Sequence, residues 1–206
     1  MNDSIGVSLP VNANECNQNR AGNMSALFFL RIIMKISFYY VDEKYIQYLK
    51  EIEIKERGYT TVPNMTYHHT NKFVYGVVLS INEVNYYVPF SHYTRKQEDN
   101  ILVQIKDHKK YKPVGSLRFN YMIPVPKKCL QLVDFNDFDE KKRILLRKEY
   151  KSCLSMLSRI QKKAQKTYER VISQKDESLI NNSCMFERLE AAYMEYTSKN
   201  SKNKIC

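Results

Sequence analysis

Lys72-Phe73-Val74-Tyr75-Gly76-Val77-Val78-Leu79 and Tyr86-Tyr87-Val88-Pro89-Phe90 flank the link Ile81-Asn82-Glu83-Val84-Asn85. Both runs are β-branched and aromatic, and two such runs around a short link with turn residues read as an antiparallel hairpin. Pro89 has no N–H to give a ladder, so the second strand is expected to stop there or to lie at an edge. The chain leaves that strand through Ser91-His92-Tyr93-Thr94-Arg95-Lys96. Hydroxyls, an imidazole and two cations at a strand end are groups suited to handling a phosphate.

Upstream of this hairpin, Lys35 to Val41 reads as a strand and Asp42 as the cap of a helix. Tyr45, Tyr48, Leu49 and Ile52 recur at helical spacing, and Gly58 ends that helix. Tyr59 to Asn71 is a polar loop. Downstream, Ile101 to Ile105 is a strand, Lys106 to Lys112 a basic turn and Ser116 to Met122 an alternating strand stopped by Pro124 and Pro126. Leu130 to Val133 is a last short strand.

Asp137 or Asp139 then starts one long helix, and Glu140 to Arg170 carries eleven cations against three acids. Its apolar positions, from Tyr150 and Cys153 to Tyr168 and Val171, form one face and leave Lys141, Lys148, Arg159, Lys162, Lys163 and Lys166 outward. Solvated helix faces usually mix signs, so charge of one sign points to phosphates. A loop over Ser173 to Ser178 and an amphipathic helix over Ser183 to Tyr196 follow.

The totals agree. The 206 residues suit one domain. Lys plus Arg number 33 against 22 for Asp plus Glu, a formal charge of +11 that favours a polyanion. There are 16 Tyr and 9 Phe, and rings interleaved with cations suit unpaired bases. The five cysteines are odd in number and hold no Cys-x-x-Cys pair, which argues against a disulfide framework or a structural zinc and fits a reducing cytoplasm. His68-His69 is joined by no acidic cluster, so no metal or other cofactor is implied. No apolar stretch reaches the ~18 residues of a membrane span. Residues 1–33 lack period and net charge and are expected to be a dispensable extension before a natural start at Met34. The domain then covers 34–197, and 198–206 is expected to be a flexible tail.

Four elements in order carry a resemblance: Phe38-Tyr39 with Lys44-Tyr45-Ile46-Gln47-Tyr48-Leu49-Lys50; the strand Lys72 to Leu79; Tyr87-Val88-Pro89-Phe90-Ser91; and Gly115 to Pro124. Together, over Met34 to about Tyr196, they resemble the toxins of type III toxin–antitoxin systems, the ToxN/AbiQ endoribonuclease family. The resemblance implies an α+β fold, a strongly bent antiparallel sheet of the Kid/MazF-like barrel kind with packed helices. It implies a metal-independent endoribonuclease that cuts cellular mRNA. It also implies a partner, a small repeat RNA antitoxin folded as a pseudoknot, held in a closed RNA–protein assembly. Growth arrest, or abortive phage infection, follows from release of the toxin.

Carried over residue by residue, the family's catalytic positions fall on Tyr45, Tyr67 (or its neighbour His68), Lys72 and Ser91. The family's second hydroxyl is here His92, whose imidazole exchanges protons near neutral pH. A lysine of the family falls on Thr94, with Arg95 or Lys96 able to supply the cation by a small shift. Lys109, Lys110, Lys112, Arg118 and the outward cations Arg159, Lys162, Lys163 and Lys166 are expected to contact RNA. The competing reading is a basic RNA-binding protein without catalysis.

Overall fold

The computed structural model describes residues 36–67 and 70–202. The expected extension 1–33, Met34, His68, His69 and the end of the expected tail lie outside the described residues, and Tyr67 is described only through its backbone. The chain runs β1 (Ser37–Val41), α1 (Glu43–Arg57), β2 (Thr66–Tyr67), β3 (Thr70–Asn71), β4 (Val74–Ile81) and β5 (Val84–Ser91). It continues through β6 (Asn100–Asp107), β7 (Lys110–Arg118), β8 (Ile123–Pro124) and β9 (Leu130–Leu132), with 3-10 turns between. The helices α2 (Glu140–Ser155), α3 (Leu157–Ile172), the short α4 (Glu177–Asn181) and α5 (Phe186–Lys202) complete it.

The strands form a seven-stranded antiparallel sheet in the order β6-β7-β5-β4-β1-β9, with β8 added to β5, and a separate β2-β3 ladder. Among the described residues the outer strands β6 and β9 do not pair, so the sheet stays open rather than closing as a barrel. The β4-β5 hairpin turns at Asn82 and Glu83, both at positive φ, the backbone that suits the twist of its strands. Between the pairs Gly76–Tyr87 and Leu79–Tyr86 the register shifts, and Val77 and Val78 bulge out. Such a bulge bends a strand. Gly76 allows the close approach: a Cβ there would lie 2.4 Å from Cδ1 of Tyr87.

Pro89 neither ends β5 nor sits at an edge; it is buried and pairs with Val74. The N–H of Phe90 donates to the Phe73 carbonyl, so the nitrogen of Pro89 faces away from β4. On that side β5 hands over from β8, opposite Tyr87, to β7, opposite Phe90. The missing N–H falls in that gap, where no ladder bond is lost.

Local capping follows the sequence. Asp42 accepts from the Tyr45 N–H at 3.0 Å, and Gly58 closes α1 at φ 82°. The expected single basic helix is two helices, broken at Met156, whose N–H donates to the Cys153 carbonyl at 3.1 Å, a tightened turn. The expected basic turn over Lys106 to Lys112 is a longer hairpin, because both strands run on to Asp107 and Lys110. The last helix passes Tyr196 and reaches Lys202, where a tail was expected.

An aromatic cluster centred on Phe38 fills one side of the core, with the rings of Phe73, Tyr75 and Phe90 at 4.6, 5.6 and 5.6 Å. On α1, Tyr45, Ile46 and Leu49 are buried, and so is an acid, Glu53. Its carboxylate accepts from Thr60 Oγ1 and the Thr61 N–H at 2.8 Å, the Val62 N–H at 3.3 Å and the Met185 N–H at 2.7 Å. It also pairs with the Arg57 guanidinium at 3.0 Å. Glu149 on α2 is buried equally deeply, but neither of its oxygens has a hydrogen-bond partner. Burial pushes its carboxyl up to about 7, against a smaller opposing pull from Lys142.

Removing one partner of a buried ion pair costs about 3–5 kcal/mol, and Arg57 keeps only 14% of its side chain exposed beside Glu53. Glu53→Leu is therefore expected to lose most of the stability of the domain in urea unfolding, and an unchanged midpoint would refute the anchoring role. For Glu149 the folded pKa lies above the unfolded value of 4.5, so its contribution favours folding at low pH and is lost as pH rises from there to about 7. Glu149→Gln should gain stability relative to the parent between pH 5 and pH 8, read as a widening gap in melting temperature; a pH-independent gap would contradict it.

Candidate active-site cleft

Ser91 ends β5 and pairs with Ser116 of β7. Gly115, next to it, keeps the strands close: a Cβ there would lie 2.7 Å from the Phe90 ring and from the Ser91 carbonyl oxygen. The Tyr93 N–H donates to Ser91 Oγ at 3.2 Å, and Ser116 Oγ donates to the Tyr93 carbonyl at 2.7 Å. Tyr93 is thus clamped from both sides. The Ser91 hydroxyl accepts from the chain and keeps its own proton to offer. His92, between them, is exposed, its ring edge-on to Phe90 at 6.0 Å.

A cleft of about 640 Å³ opens here, with Lys72, Ser91, His92, Tyr93, Arg118 and Tyr121 on its walls. The loop Thr60 to Met65 forms the opposite wall, held by Glu53 from below and by the Lys50 ammonium, which donates to Asn64 Oδ1 at 2.8 Å. Lys72 stands between β3 and β4, and its N–H donates back to the Met65 carbonyl of that loop at 2.7 Å. Arg118 lies over the Tyr121 ring at 4.3 Å and near the Tyr93 ring at 5.7 Å, and donates to the Tyr121 hydroxyl at 3.3 Å. Among the described residues no acid lies within ion-pair distance of Arg118.

The field of the cleft is positive. Partial burial lowers the pKa of His92 below the ordinary imidazole value, and Lys142 and Lys72 lower it further. Lys50 is likewise lowered, chiefly by burial, against an opposing pull from Glu43 and with a smaller push from Lys72. Lys50, Lys72 and Lys142 therefore act on one region from α1, the lead into β4, and α2. At neutral pH His92 is the uncharged base among cations. Cations and an imidazole side by side are groups able to hold a phosphodiester and to take up a proton beside it.

The structure brings Lys72, Ser91, His92 and Arg118 together, as expected of a site. Tyr45 is placed elsewhere. It is fully buried, its hydroxyl donates to the Pro124 carbonyl at 2.8 Å, and burial holds that hydroxyl's pKa far above its usual value. Thr94 and Arg95 are exposed on the loop after the cleft. Lys96 turns away from it and donates to the Asn100 carbonyl at 2.8 Å. It neighbours Lys163, whose pKa is lowered by burial and then by Lys96. Lys162 and Lys166 face Val77 to Ser80 across a separate groove, and Arg159 is exposed on the same helix. Lys109, Lys110 and Lys112 stand exposed on the β6-β7 hairpin.

Tyr93, Tyr121, Lys50 and Lys142 were not singled out in the sequence. Tyr121 sits three residues after Arg118, a spacing that a 3-10 turn brings onto one side. Lys142 gave no signal, because it acts on His92 from a helix far along the chain.

Comparison with known proteins places this architecture. The family described as toxin ToxN, type III toxin–antitoxin system, matches residues 37–194. The endoribonuclease AbiQ of Lactococcus lactis subsp. lactis is 28% identical over 189 residues, covering 86% of this chain and 99% of that protein. The endoribonuclease ToxN of Bacillus thuringiensis subsp. kurstaki is 30% identical over 172 residues, covering 79% and 84%. A solved type III toxin whose structure concerns selective inhibition by a non-coding RNA pseudoknot aligns with TM-score 0.68 at 26% identity, over 79% of this chain and 98% of that one. The solved AbiQ, a lactococcal anti-phage endoribonuclease, aligns with TM-score 0.65 at 25% identity, over 80% and 99%.

If Lys142 depresses His92 through space, Lys142→Met should move the His92 midpoint up towards the ordinary ~6.5. NMR titration of the His92 ring carbons reads this directly. A midpoint that stays put would remove Lys142 from the cleft's electrostatics.

Proposed function

The chain belongs to the ToxN family of type III toxin–antitoxin toxins, and on that premise we propose that it is an endoribonuclease whose active site is the Lys72–Ser91–His92–Arg118 cleft. The observation that carries this is the convergence of an imidazole, His92, a hydroxyl, Ser91, and two cationic side chains, Lys72 and Arg118, on one cleft. The substrate is RNA rather than DNA, because the reaction uses the ribose 2′-hydroxyl as nucleophile. His92 takes the 2′ proton as the oxygen attacks the adjacent phosphorus. The Lys72 and Arg118 cations and the Ser91 hydroxyl hold the oxygens of the crowded phosphorane. Departure of the 5′ oxygen needs a proton, for which the Lys72 ammonium is the acid at hand. The products are a 2′,3′-cyclic phosphate and a 5′-hydroxyl. These groups supply acid–base and electrostatic catalysis without a metal ion.

In this reading the partner is a small repeat RNA that inhibits the toxin as a pseudoknot, and cellular mRNA is cut when it is absent, in the cytoplasm, with growth arrest or abortive phage infection as the outcome. Among the described residues no helix is long and apolar enough to cross a membrane. The exposed cations of α3 and of the β6-β7 hairpin hold RNA beyond the cleft. The bulged β4 and the handover along β5 support kinship with the Kid/MazF toxin fold, here with an opened barrel.

Lys72→Ala, Ser91→Ala and His92→Gln are each expected to slow cleavage of the repeat RNA by about 10²–10⁴ with the melting temperature kept, and cutting should persist in EDTA. Gel analysis with detection of cyclic-phosphate ends checks both. Full activity of these variants would displace the site, and binding without fragments would make the protein a non-catalytic RNA binder.

A further inference from the structure

The β6-β7 hairpin outgrows the sheet that carries it. β5 pairs with β7 only at Leu117 and Ser116, yet the hairpin ladder runs on through Gln104–Pro113, Ile105–Lys112, Lys106–Tyr111 and Asp107–Lys110. Its outer half is an arm with both faces largely open: Gln104, Lys106, Asp107, His108, Lys109, Lys110, Tyr111 and Lys112 are all exposed. On this arm Tyr111 is 69% exposed, the most exposed large hydrophobic side chain among the described residues. Leaving such a ring in water forgoes the gain from covering it. Directly across the ladder stands Lys106, on the same face as the ring. Lys109 lies at the turn, and Lys110 and Lys112 flank Tyr111 in sequence and present to the other face. Asp107 is the one acid among the residues from Lys106 to Lys112.

We infer that this arm is a second RNA-binding site, remote from the cleft, in which an unpaired base stacks on Tyr111 while Lys106, across the ladder on the same face, and Lys109 at the turn hold neighbouring phosphates. The inference rests on the reading above for RNA as the ligand. An exposed ring set among cations is complementary to a strand whose bases are unpaired: the ring offers a π-face to any base, and the charges track the backbone. A duplex fits poorly, since its bases are stacked on one another. The arm's place along β7 adds direction. Ser116 pairs with Ser91 in the cleft, and five residues of strand separate it from Tyr111, roughly 16 Å. One strand of RNA lying along β7 spans both sites, so a substrate or inhibitor a few nucleotides longer than the cleft gains the second contact and a shorter one does not.

The test uses fluorescein-labelled 2′-O-methyl RNA of unstructured sequence, which cannot be cut, in lengths of about 4 and about 16 nucleotides. Anisotropy titration should show that Tyr111→Ala weakens the long probe roughly five- to a hundredfold and leaves the short probe unaffected. Tyr111→Phe should restore the long-probe affinity, and Lys106→Ala should lower the salt dependence of long-probe binding by a slope of about 0.7. Equal affinity of Tyr111→Ala and parent for the long probe would overturn the inference. So would equal weakening of both lengths, or a change only in oligomeric mass by light scattering, which would make the arm a protein contact. Parent protein that cuts RNA but binds without Tyr111 leaves the proposed function standing and removes the arm. Parent protein that binds through Tyr111 but cuts nothing keeps the arm and removes the proposed enzyme.

Discussion

A carboxylate sealed from solvent fixes the geometry of the cleft. Glu53 faces into α1's packed side and receives three backbone N–H groups, one hydroxyl and a guanidinium. Three of these donors belong to Thr60, Thr61 and Val62, the start of the wall opposite Ser91, and a fourth, Met185, belongs to the segment entering α5. Charge buried without partners would be prohibitive, and here the compensation is nearly complete. One side chain therefore ties α1, the cleft wall and the last helix into a fixed relation. The wall's position determines where Lys72 enters β4.

On that frame the cleft gathers positive charge that other parts of the surface balance. Arg170, by contrast, is answered by Glu98 and Asp176. Lys72 and Arg118 line the cleft from different parts of the chain, and burial first, then Lys142 and Lys72, lower the pKa of His92.

Much of this was legible from local chemistry. Asp42, Gly58 and the β4-β5 hairpin act through neighbours in the chain, and each stands where the sequence placed it. Pro89 misled because the cost of a missing N–H depends on which strand lies alongside, and the handover from β8 to β7 is a tertiary fact. The periodic run over α2 and α3 hid its break, since the apolar spacing continues across Met156. Glu53 gave no sign either: an acid at a helical position reads as solvated until its donors, one of them more than a hundred residues away, are folded against it. Ser91 and His92 drew notice as polar groups at a strand exit and Lys72 through the family resemblance, whereas Lys142 acts on His92 from a helix that only the fold brings near. Tyr45 was drawn to the site by family resemblance, while its own position on the buried face of α1 sets it in the core.

The interruption at Met156 has a consequence for how the molecule meets its polyanion. An unbroken rod would have laid its cations along one straight stripe, a rail for a duplex or a membrane. Broken at Met156, the charge divides instead: Lys142 on α2 bears on His92, while Lys162 and Lys166 on α3 line a groove beside Val77 to Ser80. Two basic surfaces stand where the sequence drew one stripe.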